Sequence, residues 1–171
     1  MRLILALIAV VALNGCDSDS KSEAEREAFR QQLIDKALND DTRKMGDKFL
    51  SENAAAEGVV TRPSGLQYKV LKSGSGEKPQ LDQLVVVNYE GRRVDGVVFD
   101  GTAEGRTATF PLKGLIKGWR EGLSLMPKGA EWELYIPADL AYGATSPAEL
   151  IPANSTLIFK VELVDILDDA Q

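Results

Sequence analysis

Tyr89, Phe99, Trp119, Tyr142 and Phe159 stand beside turns or on one short helical stretch, with Asp100 and Ile151 next to them in the pattern. Aromatic residues make up only 6% of the chain, so this grouping needs an explanation. Two readings are open from composition: a packed core, or a large apolar pocket with few polar groups. The chain has no histidine, which removes the usual general base, the Ser-His and Cys-His pairs and most zinc sites. No metal-ligand set and no cofactor is expected. The single cysteine, Cys16, cannot form an internal disulfide. Such a set is suited to burying and orienting an apolar group rather than to attacking one.

The elements that must position these side chains centre on Gly114 to Met126. Leu115, Ile116, Trp119, Leu123 and Met126 recur at helical spacing, which predicts one short amphipathic helix. Gly118 lies inside it, at a cost of roughly 1 kcal/mol against alanine, so something should pack close to the backbone there. Gly122 repeats the signal. On both sides the pattern turns to the period of two that marks strands. Strands are expected at Gly65–Leu71, Leu84–Glu90, Val97–Phe99, Ala108–Leu112, Ala130–Ile136 and Thr156–Leu167, with a long loop from Ala138 to Ala153. The predicted class is α+β: a curled antiparallel β-sheet wrapped around one short helix, preceded by an α-helical leader.

The 171 residues divide into four expected parts. Residues 1–15 read as a signal peptide, because the apolar run Leu3–Leu13 is shorter than the roughly 20 residues needed to span a bilayer. Leu13-Asn14-Gly15-Cys16 resembles the lipobox of bacterial lipoproteins, which implies cleavage before Cys16 and its acylation. More than one acyl chain would give a stable anchor. Asp17 resembles the enterobacterial signal for retention in the inner membrane. Residues 16–22 read as a tether, and residues 23–58 as a helical leader, with helices at Glu23–Leu38 and Thr42–Glu57. Asp40 or Asp41 can cap the second helix. The leader is either a solvated stalk or a dimerisation arm. Residues 64–168 form the main domain. The net charge of −6 argues against a nucleic-acid partner.

Val87-Asn88-Tyr89-Glu90-Gly91, Asp95 to Asp100, Leu115 to Leu123, Leu140 to Gly143 and Ile151 to Leu163 follow in one order. This series resembles the FKBP family of peptidyl-prolyl cis/trans isomerases from about Ser64 to Leu167. Glu57-Gly58-Val59, Ser64 to Tyr68 and Leu125 to Gly129 before Trp132 to Pro137 are similar to its bacterial, Mip-like branch, in which helices precede the domain and often dimerise. The resemblance implies a fold, an activity and a site. Trp119 would be the floor under a substrate proline ring, with Tyr89, Phe99 and Phe159 as walls. Ile116 would offer its backbone N–H to one substrate carbonyl, and the Tyr142 hydroxyl would reach another. Asp100 would sit at the pocket edge, Leu115 at the rim, and Leu150 and Ile151 in a flap. Two departures stand out: a wall position occupied by Ala108, which would open one side, and Ser146-Pro147-Ala148-Glu149 in place of a Gly-rich flap turn.

Rotation about an X–Pro bond faces a barrier near ~20 kcal/mol because amide resonance is lost. No bond breaks, so neither nucleophile nor metal is required. The implied protein is a lipid-anchored isomerase of the bacterial cell envelope, facing the periplasm, that acts on proline-containing polypeptides. The alternative is a non-catalytic module or chaperone that holds proline segments.

Overall fold

The computed structural model describes residues 23–38 and 40–168. The signal peptide, tether, Cys16 and Asp17 readings lie outside the described residues. Among those described, no helix is long and apolar enough to cross a membrane.

The chain divides into two units, residues 1–34 and 35–171. Helix α1, Glu23–Leu38, has the predicted bounds. Its residues 25–31 and 33 are exposed. Arg30 and Glu27 form an exposed ion pair one turn apart at 3.6 Å.

The second unit contains α2, Asp41–Asn53. Asp40 caps it: the Thr42 N–H donates to Asp40 Oδ1 at 2.7 Å. That bond holds the Asp40 carboxyl below the usual carboxylate range. The strands are β1 (Val59–Thr61), β2 (Gln67–Lys72), β3 (Leu84–Arg93), β4 (Val98–Gly101), β5 (Ala108–Pro111), β6 (Glu131–Ile136) and β7 (Leu157–Leu167), with α3 (Lys117–Leu125) between β5 and β6. All pairings are antiparallel, in the order β1-β2-β6-β7-β3-β4, and β5 also pairs with β3. The curled sheet and single wrapped helix match the predicted class; β1 is an addition to it.

Alternation along β6 and β7 makes two faces. Leu134 pairs with Phe159 and Ile136 with Leu157 on the inner face; between them, Tyr135 pairs with Ile158 on the outer face. The inner face packs on α3. A Cβ on Gly118 would lie 2.4 Å from Ile136 Cγ2, and one on Gly122 would lie 2.8 Å from Leu134 Cδ1. The glycines are therefore required by close approach, as their cost in a helix suggested. The outer face packs on α2: Leu50, Tyr135 and Ile158 form a buried cluster with Phe49 and Val59 against it. A Cβ on Gly46 would lie 2.3 Å from Thr156 Oγ1. Gln67 Nε2 donates to the Leu50 carbonyl, and Asn53 Nδ2 to Gln67 Oε1, both at 2.8 Å. The solvated-stalk expectation fails for α2, which is part of the packed unit.

Candidate functional site

The sheet forks along the outer edge of β3. Its first residues, Leu84–Val87, pair with β5, and its last, Glu90–Arg92, pair with β4. Bulges at Val86/Val87 and Gly91/Arg92 bend β3 between the two partners. At this fork, over the start of α3, lies a cavity of about 490 Å³.

Its floor is Trp119, only 4% exposed. Tyr89, Phe110 and Phe159 stand almost edge-on to the indole or tilted around it. Trp119 meets Tyr89 at 5.3 Å, Phe159 at 5.2 Å and Phe110 at 6.3 Å, each with an interplanar angle of 89°. Phe99 meets Phe159 edge-on at 5.6 Å. Such T-shaped pairs bring ring edges toward ring faces and hold the walls upright. Gly91 makes this possible: a Cβ there would lie 2.7 Å from the Phe159 ring and 2.8 Å from the Phe99 ring.

The polar groups are few. Helix α3 begins three residues later than the Gly114 start predicted, because Leu112–Gly114 form a separate 3₁₀ turn. Ile116 becomes the N-cap, with no side chain capping the helix. The N–H groups of a helix's first turn lack intrahelical acceptors, so this end offers donors to whatever enters. Gly114, Leu115 and Ile116 all line the cavity. Tyr142 lines it from the opposite loop and is 40% exposed. The Tyr89 hydroxyl donates to Asp100 Oδ2 at 2.8 Å, and Asp100 Oδ1 accepts the Gly101 N–H at 2.8 Å. Burial, and then the hydrogen bond to Asp100, pushes the Tyr89 hydroxyl up to about 12. It therefore stays protonated and aimed at Asp100 across the neutral range. The buried Trp119 Nε1 has no hydrogen-bond partner.

Of the expected residues, Tyr89, Phe99, Asp100, Leu115, Ile116, Trp119, Tyr142, Ile151 and Phe159 all border this one cavity. Leu150 does not. It is 49% exposed, because the flap turns its side chain away from the buried Ile151. Phe110 was missed. The wall position assigned to Ala108 is taken by Phe110, two residues along β5 and therefore on the same strand face. The i, i+2 relation was readable, but Phe110 had been treated as part of the run into the helix. Pro147 and Ala148 complete the flap side. Among the described residues no group of His, Cys, Asp or Glu could hold a metal.

An aromatic-walled cavity with donors at one rim and a hydroxyl at the other has room for a small apolar ring and donors for polar chain on either side. FKBP-type peptidyl-prolyl cis-trans isomerase is the family description that matches residues 75–164, and the domain amino-terminal to such isomerases matches residues 6–70. The chain belongs to the FKBP-type peptidyl-prolyl isomerase family. It is 45% identical over 148 residues to the outer membrane protein MIP of Legionella longbeachae, covering 86% of this chain and 63% of that one. It is 50% identical over 119 residues to the peptidyl-prolyl cis-trans isomerase Mip of Coxiella burnetii, covering 69% of this chain and 52% of that one. The crystal structure of FkpA from Escherichia coli superposes with a TM-score of 0.72 at 38% identity, over 86% of this chain and 74% of that one. The chain spans about half to two thirds of the length of these curated relatives.

Proposed function

We propose that this protein accelerates cis/trans isomerisation of X–Pro bonds in exported polypeptides. The observation that carries the reading is the pocket: four rings around a nearly buried indole, with uncapped helix N–H groups beside it. A proline ring fits against Trp119, walled by Tyr89, Phe99, Phe110 and Phe159. The Ile116 N–H and the Tyr142 hydroxyl hold carbonyls of the flanking chain. The apolar walls exclude water from the amide. Water stabilises the planar, resonance-polarised form, so its removal favours the twisted one. Only contacts that are stronger in the twisted state accelerate the step. Asp100 acts at the edge, through the Tyr89 hydroxyl that it orients.

A protease-coupled isomerisation assay on a soluble form beginning after Cys16 tests this. Turnover of proline peptides supports the enzyme. A folded protein that binds those peptides without turnover supports instead the non-catalytic holding module.

Acylation at Cys16 would anchor the chain to the bacterial cell envelope with the domain facing the periplasm. The lipobox-like Leu13-Asn14-Gly15-Cys16 supports this. Asp17 favours the inner membrane, whereas the Legionella relative is named an outer membrane protein. Fractionation with metabolic fatty-acid labelling decides between them, and an unlabelled, soluble product would remove the anchor. With α2 packed on the sheet, pairing of two copies falls to α1. Sedimentation with and without residues 17–38 tests it; a monomer in both forms would rule out the arm.

A further inference from the structure

Residues 144–151 form the flap side of the pocket, where Pro147, Ala148 and Ile151 line it. The segment is folded onto itself. The Ile151 N–H donates to the Ala148 carbonyl at 3.0 Å. The Ser146 hydroxyl lies 3.0 Å from the Ala148 carbonyl and 2.8 Å from that of Ile151. Residues 144–150 are all exposed, and only Ile151 is buried. Among the described residues, one hydrogen bond joins this segment to the sheet: Arg93 Nη1 donates to the Leu150 carbonyl at 3.1 Å.

Arg93 is well placed for that task. It ends β3, paired with Leu157 of β7. Its guanidinium is held as a fork: Nε donates to Asp95 Oδ1 at 3.0 Å and Nη2 donates to Asp95 Oδ2. Asp95 is fixed in turn by the Val97 N–H at 3.2 Å. The backbone beneath is a tight turn. The Arg93 N–H donates to the Val97 carbonyl at 2.9 Å, the Gly96 N–H donates to the Arg93 carbonyl at 3.0 Å, and Gly96 has φ of +85°. A planar fork held at two nitrogens leaves Nη1 with one direction to point, toward Leu150. A lysine could supply the charge but not that fixed direction.

We propose that Arg93 is a positioning residue: oriented by Asp95, it latches the flap at Leu150 and thereby sets the pocket wall that meets the residues flanking the substrate proline. Its kinetic consequences rest on the isomerase reading above; its structural consequence does not. Without the latch the flap keeps its internal hydrogen bonds and the buried Ile151 side chain but loses this tie to the sheet. The wall then moves while the aromatic floor stays in place.

The test uses the soluble protein and its Arg93→Lys, Arg93→Leu and Asp95→Asn variants. Arg93→Leu is expected to raise KM for proline peptides about fivefold, with kcat within about twofold, in line with one exposed charged contact. It should also flatten the ranking among peptides that differ in the residue before proline. Arg93→Lys should restore little of that ranking, and it keeps the test open if Arg93→Leu folds poorly. Asp95→Asn should act in the same direction and more weakly. Amide exchange at Ile151 should quicken by about tenfold in Arg93→Leu while the amides of β7 stay protected. Unchanged KM, peptide ranking and Ile151 exchange in both Arg93 variants would overturn the latch and leave the isomerase reading intact. If the native protein shows no turnover, the isomerase reading fails, and Ile151 exchange alone decides the latch.

Discussion

Two helices approach the same pair of strands from opposite sides, and they are used in opposite ways. On both sides a glycine lets the helix backbone come close: Gly118 and Gly122 in α3, Gly46 in α2. On the α2 side the contact is closed. Leu50 seals against Tyr135 and Ile158, and the rim is tied by Gln67, Asn53 and an Arg43–Asp139 fork with bonds of 2.8 and 2.7 Å. On the α3 side the helix buries Gly118, Trp119, Gly122 and Leu123 along its length. Its first turn is uncapped and stands beside a cavity. The difference shows how one sheet carries both a structural seam and a binding site. Where the helix end is satisfied from within the chain, no ligand is invited; where it is not, one is.

The largest expected contrast comes from emptying each side in turn. Trp119→Ala should lower kcat/KM by about a hundredfold and destabilise by about 3–5 kcal/mol, while Leu50→Ala should cost about 2–4 kcal/mol and leave kcat/KM within about twofold. Urea unfolding and peptide turnover measure the two. Comparable losses of activity would break the division between seam and site. Next in size comes one glycine from each side, Gly91 at the pocket and Gly46 at the seam, both close against side chains. Gly91→Ala should cost activity by about tenfold, since the new methyl must displace the Phe99 and Phe159 rings. Gly46→Ala should cost stability by about 1–3 kcal/mol at nearly native activity.

A smaller effect is expected in alkali, and here the two sides should behave alike. Tyr89 on the pocket side and Tyr135 on the seam are both raised by burial first, then by hydrogen bonds to Asp100 and Glu133. A raised folded value means that the neutral form is favoured by folding. The associated stability is complete below the ordinary value near 10 and is lost as pH climbs through the folded value. For Tyr89 that window runs from about 10 to about 12. Phenolate absorbance should therefore lag in the native protein, and Tyr89→Phe should remove part of the lag without changing activity's flatness near neutrality. The smallest effects belong to exposed charges. Lys117→Ala at the head of α3 and Lys48→Ala on α2 should each change stability by less than about 1 kcal/mol and activity by less than about twofold.

The strands and α3 were legible because burial writes a period into them. Trp132, Leu134 and Ile136 alternate with Glu131, Glu133 and Tyr135, and the fold places those two sets on opposite faces. The costly Gly118 was legible as a contact. Docking of α2 was not, because it rests on Gly46, the adjacent Phe49 and Leu50, and hydrogen bonds rather than on a repeating apolar stripe. Within the site, the residues carried by the motifs come together, while Phe110 was not legible because it lies outside those motifs, two residues along the strand from Ala108. Leu150 was misplaced for a local reason: it sits in the turn between the bridged residues Ala148 and Ile151, which leaves it exposed while Ile151 is buried.

Strand β7 lies between β6 and β3 and pairs with each along most of its eleven residues. It is also C-terminal to every other strand. Remove it, and the sheet falls into β1-β2-β6 on one side and β3-β4-β5 on the other. During synthesis neither half can find the other until the ribosome has released this strand, and Leu84 must wait for Leu167. Pairings so distant in sequence close slowly. The pocket, which draws Tyr89, Phe99 and Phe110 from one half and Phe159 from β7 itself, is thus among the last features to exist in each newly made molecule.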